Sequence, residues 1–360
     1  MDSYFDIFCS VLRAGLWNKA PEADLRGADF KRIWADAQKQ AVSGLVAQGL
    51  LNTGRLHPKA SEMLQKKILS IAAMNFKISH ILADAVKALR SGGIEPVLLK
   101  GHGVASYYHQ PLLRECGDID LYVKPDEYRR AFDILSDALS SNEEKKFEES
   151  EKHSTIVAKG IPIELHQFAD VLVSKYDDAF QRFSDAGIAS DCGSVAVDDI
   201  IVRTPGPTFN AMYILEHIWS HFVAAGVGFR QICDWALLLH ANQSSIDRDS
   251  LYRMLDALDL VKPWKVFGLI AVRQLGLPEG DMPFFDLSVK RESNKVLGMI
   301  MKEGNFGHEW DERWAESGHR FLDTLKHFIV ITRRYLKVIP MFGNIAFQEY
   351  KTKILYHLWK

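Results

Sequence analysis

The sequence predicts an α+β protein in which a small mixed or antiparallel sheet core is flanked by N- and C-terminal helical regions. Three observations carry that reading. Leu64, Ile68, Ile71, Ile78, Leu82, Val86 and Leu89 recur at helical spacing, and the same period returns beyond Phe209. Between those stretches the period drops to two, with Ile119, Leu121 and Val123 alternating with polar neighbours. Finally, residues 155–158 and 161–166 bracket Lys159-Gly160 in the manner of a β-hairpin. The expected organisation is a helical region over 1–92, a sheet core over 93–204 and a helical domain over 205–360. The chain's 360 residues are enough for two or three cores.

The elements follow in order. Ser61 is a candidate N-cap for the first long helix, and Ser91-Gly92-Gly93 ends it. Residues 96–99 form a short apolar strand closed by Lys100-Gly101, and a helix over roughly 104–109 stops at Pro111. The run 116–123 reads as a strand with one buried face. A helix over 125–139 opens on Pro125, which suits a first turn. Residues 141–153, rich in Glu and Lys, should be a solvated loop, and the hairpin follows. Pro205-Gly206-Pro207 marks entry to the last region. Its helices are expected over 209–224, 229–240, 248–257, 261–275, 290–303, 316–338 and 344–358.

Composition narrows the function classes. Hydrophobic residues make up 47% and charged residues 25%, as in soluble globular proteins. A net charge of −2 supplies no basic field for nonspecific nucleic-acid binding. No stretch approaches the roughly 20 uninterrupted apolar residues of a membrane span. The N-terminus carries acids where a signal peptide needs bases. Cys9, Cys116, Cys192 and Cys233 are scattered without paired spacing, which fits reduced thiols and a cytoplasmic protein.

The chemistry is expected at Asp118 and Asp120. Two residues apart on a strand, their carboxylates leave the same face, and like charges that close call for a divalent cation between them. Upstream, Lys100-Gly101-His102-Gly103 takes a strand into glycines and a helix, where backbone N–H groups can approach a phosphate. Downstream, Glu164 and His166 share one face of the second hairpin strand. Three carboxylates from neighbouring strands can hold two Mg²⁺ ions, with Mn²⁺ an alternative, and so support phosphoryl chemistry.

This order of motifs resembles the DNA polymerase β-like nucleotidyltransferase superfamily. Within it, Leu99-Lys100-Gly101, Arg114, Asp118-Ile119-Asp120-Leu121 and Glu164-Leu165-His166 resemble a group of bacterial proteins called uncharacterised nucleotidyltransferases. The match spans about residues 96–168 and is weaker around 217–221 and 230–234. The resemblance implies a nucleotidyltransferase sheet. Asp118, Asp120 and Glu164 would be catalytic residues and metal ligands, with Glu164 the base for an acceptor hydroxyl. It implies an NTP as one substrate and an NMP group as the part transferred. The nucleotide-binding candidates are Lys100, Gly101, His102, Gly103, Arg114 and His166. The superfamily usually has Ser or Gly after the turn glycine, whereas His102 stands here, so Lys100 or the Gly103 backbone must replace a missing hydroxyl. That departure motivates the alternative of an inactive nucleotide-binding or regulatory protein. Without a basic excess, a small-molecule or protein acceptor is favoured over nucleic acid.

Other residues keep two readings. Lys100 and Arg114 can meet a phosphate or form ion pairs with Asp118 or Glu115. His166 can orient Glu164 or line a pocket wall, and His153 can reach the same cleft. His217 and His221, four apart on a helix, suit cleft packing or substrate contact. Arg230 and Asp234 default to a helix-surface ion pair. The basic, aromatic segment from Phe321 carries a stripe, Leu322, Leu325, Ile329, Leu336 and Ile339, that fits a core-facing helix.

Overall fold

A computed structural model describes residues 3–139, 153–189, 192–305 and 320–359 of the chain. Residues 141–152 of the loop expected over 141–153, and residues 316–319, lie outside the described residues, and His153 opens a strand instead. The chain opens with four helices, α1 (Ser3–Leu16), α2 (Phe30–Lys39), α3 (Ser43–Leu51) and α4 (Pro58–Ser91). The short strand β1 (Val97–Leu98) leads to a single helical turn, α5 (His102–Ala105), a 3-10 turn at Pro111–Leu113 and β2 (Ile119–Tyr122). Helix α6 (Tyr128–Leu139), the hairpin β3 (His153–Ala158) and β4 (Ile161–His166), helix α7 (Ser174–Ala189) and the hairpin β5 (Gly193–Val197) and β6 (Ile200–Thr204) complete the sheet region. Then follow α8 (Pro207–Ala224), α9 (Phe229–Ala241), α10 (Arg248–Ala257), α11 (Val261–Leu275), α12 (Lys290–Glu303), α13 (Arg320–Phe342) and α14 (Asn344–Trp359).

Among the described residues the six strands make one mixed sheet in the order β3-β4-β2-β1-β6-β5. β2 is antiparallel to β1 and parallel to β4, and β1 is parallel to β6. Helices α4 and α6 cover one face. Ile78, Leu82, Val86 and Leu89 of α4, with Phe132 and Leu135 of α6, pack on Ile119, Leu121, Ile163 and Leu165. The other face meets the C-terminal helices, whose core includes Tyr213, Trp219, Trp235 and Trp264 together with Phe8 and Leu12 of α1. The first and last helical stretches therefore share one core. Helix α4 is the described helix long and apolar enough to cross a bilayer by length and composition, a test that core helices also pass.

Several expectations change in the folded chain. β2 is buried on both faces, not one, because it is an inner strand with helices on each side. Asp118 precedes the strand rather than lying in it. The helix expected over 104–109 is the shorter α5, which stops where the Ser106 hydroxyl turns back to donate to the Gly103 carbonyl (2.7 Å). The N-cap of α4 is His57, one turn before Ser61, since Pro58 is preorganised for a first turn. α7 and the β5–β6 hairpin were not anticipated.

The C-terminal stripe is also rotated. Ile329 and Leu336 are exposed, Ile339 is partly buried, and Tyr335, Val338 and Phe342 face the core instead. The side chains of Leu322 and Leu325 lie outside the described residues. The rotation follows from Arg334, which is buried on the inner seam, donates to the Phe222 carbonyl and to that of Val223 (3.0 Å), and pairs with Glu303 (2.7 Å). Those two carbonyls belong to the last turn of α8, so the guanidinium caps that helix.

One stability prediction arises at the entry to α12. Asp286 accepts from the Ser288 N–H (2.8 Å) and from Lys265 (3.0 Å), and these contacts, Ser288 first, lower its pKa to about 2. Asp286→Ala should cost about 1 kcal/mol near neutral pH. The folded pKa lies below the unfolded one, so this stabilisation is present above the ordinary aspartate value and fades as pH falls through about 2. Urea midpoints of the two proteins, apart at pH 7, should converge in acid.

Candidate functional site

The turn after β1 is set by Gly101, whose φ of 55° and ψ of −118° suit glycine and few other residues. That turn brings Lys100 beside β2. On β2 the odd positions enter the core under α4, so Asp120 projects to the opposite face, toward α8 and α9. Parallel pairing sets Asp120 beside Glu164 and Tyr122 beside His166, and the hairpin sets His153 opposite His166. Asp118, Asp120, Glu164 and His153 therefore open into one cleft of about 270 Å³ with Lys100, Gly101 and Arg114. Ile214, His217 and His221 of α8 and Arg230, Gln231 and Asp234 of α9 line it as well.

Asp120 is the electrostatic centre. Its Oδ1 lies 3.0 Å from Lys100 Nζ and 3.1 Å from His166 Nε2, all three side chains being nearly or fully buried. Burial alone would raise the Asp120 pKa, but the Lys100 ammonium and His166 outweigh it and hold the carboxyl well below its usual range. For Lys100 burial opposes the charge in the same way, and Asp120 more than restores it. Asp118 goes the other way: burial, then the charge of Asp120, raise it. Glu164 is lowered, chiefly by its contact with His166, whose Nε2 is 3.4 Å from Glu164 Oε2. One aspartate neutralised by a lysine, next to another that resists ionisation, marks a cleft short of positive charge.

That shortage bears on a metal. Carboxylate oxygens are the hard donors Mg²⁺ takes, and a cation would relieve the repulsion that raises Asp118. Asp118, Asp120 and Glu164 thus offer the oxygen donors that a divalent ion takes, whereas the ligand atoms that gather within 4.8 Å of one another among the described residues are those of His153, Glu164 and His166.

The remaining sequence candidates separate. Arg114 is buried and pairs with Asp234, not with Asp118 or Glu115, through Nε to Oδ1 and Nη2 to Oδ2, both 2.8 Å. Tyr108 donates to the same Asp234 Oδ1 (2.6 Å). Asp234 is thus an internal anchor rather than the surface partner expected for Arg230, which lines the cleft and donates to the Glu115 carbonyl (2.8 Å). His102 turns away: its Nε2 lies 3.3 Å from the Asn75 carbonyl, and it lines a separate cavity with Phe76, Lys77 and His80. The Gly103 N–H donates to the Lys100 carbonyl (3.0 Å), so it is committed within the turn. His217 and His221 stack edge to face, 4.3 Å between centroids, on the cleft wall. The sequence signal that could have raised Arg230 is its place one turn before Asp234 on a helix whose other face is entirely apolar.

The pattern of a family described as "Uncharacterised nucleotidyltransferase" matches residues 26–276. The chain belongs to this family. The matched span of the nucleotidyltransferase family runs from before α2 to the end of α11 and contains every cleft residue named above. No curated protein matches the chain. A crystal structure of an antigenic nucleotidyltransferase-like protein from Paracoccidioides brasiliensis is similar at 16% identity and a TM-score of 0.32, over 58% of this chain and 94% of that one. At that level the likeness carries no argument about the cleft.

Proposed function

We propose that this protein is a cytoplasmic, Mg²⁺-dependent nucleotidyltransferase that moves an NMP group from an NTP to a small molecule or protein, with release of pyrophosphate. The observation that carries this reading is the convergence of Asp118, Asp120 and Glu164 on one cleft, beside Lys100 and the Gly101 turn, in a member of that family. Four free cysteines support a reducing compartment.

In this reading Asp118, Asp120 and Glu164 would hold Mg²⁺, and the bound ion would supply positive charge to screen the phosphates. The chain's own residues do the rest. Glu164, held below the usual carboxylate range, is ionised at neutral pH and accepts the proton of the acceptor hydroxyl. The acceptor oxygen bonds to the α-phosphorus as the bond from that phosphorus to the bridging oxygen breaks. His166, buried behind both carboxylates, keeps Glu164 and Asp120 oriented. Lys100 supplies a fixed positive charge at the phosphate side, and Arg230 a second on the far wall. The small net charge supports a small-molecule or protein acceptor over a polynucleotide.

The test is transfer of label from α-labelled NTPs with Mg²⁺ or Mn²⁺. Wild type should label an acceptor or itself, and the Asp118→Asn/Asp120→Asn double variant should not. Equal signal from both would end the enzyme reading. A binding-only role is favoured by one feature: His102 turned away and the Gly103 N–H committed leave the turn with fewer phosphate donors than the motif suggests. It would appear as Mg–NTP raising the melting temperature, by the equivalent of about 2.7 kcal/mol at 100 times Kd, without any product.

A further inference from the structure

The antiparallel hairpin that carries Glu164 also carries two histidines. Register pairs His153 with His166 and Thr155 with Glu164, so His153, Glu164 and His166 leave the same face of the sheet. One ligand atom from each lies within 4.8 Å of the others. Glu164 Oε2 is 3.4 Å from His166 Nε2, a long hydrogen bond, and 3.9 Å from His153 Nε2, beyond hydrogen-bond reach. An ion that takes ligands at about 2.1 Å holds any two of them no more than about 4.2 Å apart. Both distances fall inside that limit, and the trio needs only a small contraction to close on one centre.

The ligand chemistry differs from that of the aspartate pair. Two imidazoles and one carboxylate are borderline donors that favour Zn²⁺ and related transition metals, whereas Mg²⁺ takes oxygen. We propose that His153, Glu164 and His166 form a transition-metal site of the Zn²⁺ type, distinct in its histidine ligands from the acidic cluster. The rings already lie 5.0 Å apart between centroids, tilted by 39°, and His166 has no exposure, so one ligand is fixed by the core while His153 is partly open to entering ions. Glu164 is common to both clusters, and His166 Nε2 lies 3.1 Å from Asp120 Oδ1, so an ion held by Nε2 replaces the proton that this nitrogen shares with Asp120, leaves the ring proton on Nδ1, and sits next to Asp120. The site stands on geometry alone and does not require that nucleotidyl transfer take place.

The experiment is calorimetric titration of the full-length protein with Zn²⁺, paired with visible absorption of Co²⁺ as a reporter of nitrogen ligands. His153→Phe keeps the ring packing and removes the donor. It should weaken Zn²⁺ binding by more than the roughly 10- to 100-fold that loss of an outer-shell partner costs and change the Co²⁺ spectrum, with thermal melting unchanged in the absence of metal. His153→Gln, a second variant, should show the same loss. Asp118→Asn should leave Zn²⁺ affinity and the Co²⁺ spectrum close to wild type. Wild-type affinity in both His153 variants would overturn the proposal, as would equal loss in Asp118→Asn or no Zn²⁺ binding by wild type. If Zn²⁺ binds as described but no NTP label is transferred, the transferase reading fails and this site remains.

Discussion

Asp118→Asn should raise the melting temperature of the metal-free protein while cutting nucleotidyl transfer by about 10²- to 10³-fold. The two effects have one cause. Burial and the adjacent Asp120 charge raise the Asp118 pKa, so its ionised form is less comfortable folded than unfolded. The sign follows from linkage. The folded state holds this proton more tightly, so the contribution to stability is full below the unfolded pKa and is lost as pH rises through the folded one. At neutral pH the wild-type carboxylate is therefore a liability, and a neutral amide of the same shape removes it. The gain should vanish in acid, where both side chains are uncharged, and shrink in saturating Mg²⁺, which binds the wild type alone. Under the proposed function that same charge holds the ion, so its removal takes activity away. Thermal melts at several pH values, with and without Mg²⁺, and label transfer would check both halves. A variant that melts lower without metal would show that Asp118 is a structural partner and not a strained ligand.

Asp234→Ala should be the most destabilising single change in the cleft, by about 3–5 kcal/mol. Asp234 receives three hydrogen bonds, two from Arg114 and one from Tyr108, and neither Arg114 nor Asp234 is more than 8% exposed. Its loss leaves a guanidinium in the interior with no counter-charge. The pair also ties the segment entering β2 to α9, so the cleft's two walls lose a direct link. Arg114→Met/Asp234→Leu should recover most of the stability, because a matched apolar pair removes both desolvation penalties. Urea unfolding of the two singles and the double closes the cycle. An Asp234→Ala cost under about 1 kcal/mol would mean that the bidentate pair adds little beyond a surface bridge.

Much of the fold was legible because its signals are local. The helices 248–257, 261–275 and 290–303 were read with their observed bounds, since each has an apolar stripe and clear stops. The Lys159-Gly160 hairpin was legible because both residues take positive φ, as a two-residue turn between twisted strands requires. The β5–β6 hairpin was missed although Asp198-Asp199 separates two β-branched runs. Ile201, apolar but exposed, and Thr204, polar but buried, blur the alternation there, while Ser194 and Ala196 take the exposed positions of the edge strand β5. The C-terminal stripe departs from the observed inner face because its apolar spacing takes no account of Arg334. Arg334 is inside, where it meets the orphan carbonyls of α8.

The sequence by itself determined which side chains share a sheet face. Alternation is a property of extended backbone, so Glu164 and His166 had to share a face of β4, whereas the parallel β2–β4 pairing is what adds Asp120 to it. Only the tertiary structure decided what each charge would face. Lys100 takes Asp120, Arg114 takes an aspartate 120 residues away, and His102 leaves the cleft for another cavity. The Lys100 choice depends on the β1–β2 pairing, that of Arg114 on where α9 docks and that of His102 on where α4 lies, and the same packing sets the burial that makes each pairing strong. Period is written locally in the chain, whereas desolvation and the choice of counter-ion arise from segments brought together across its length.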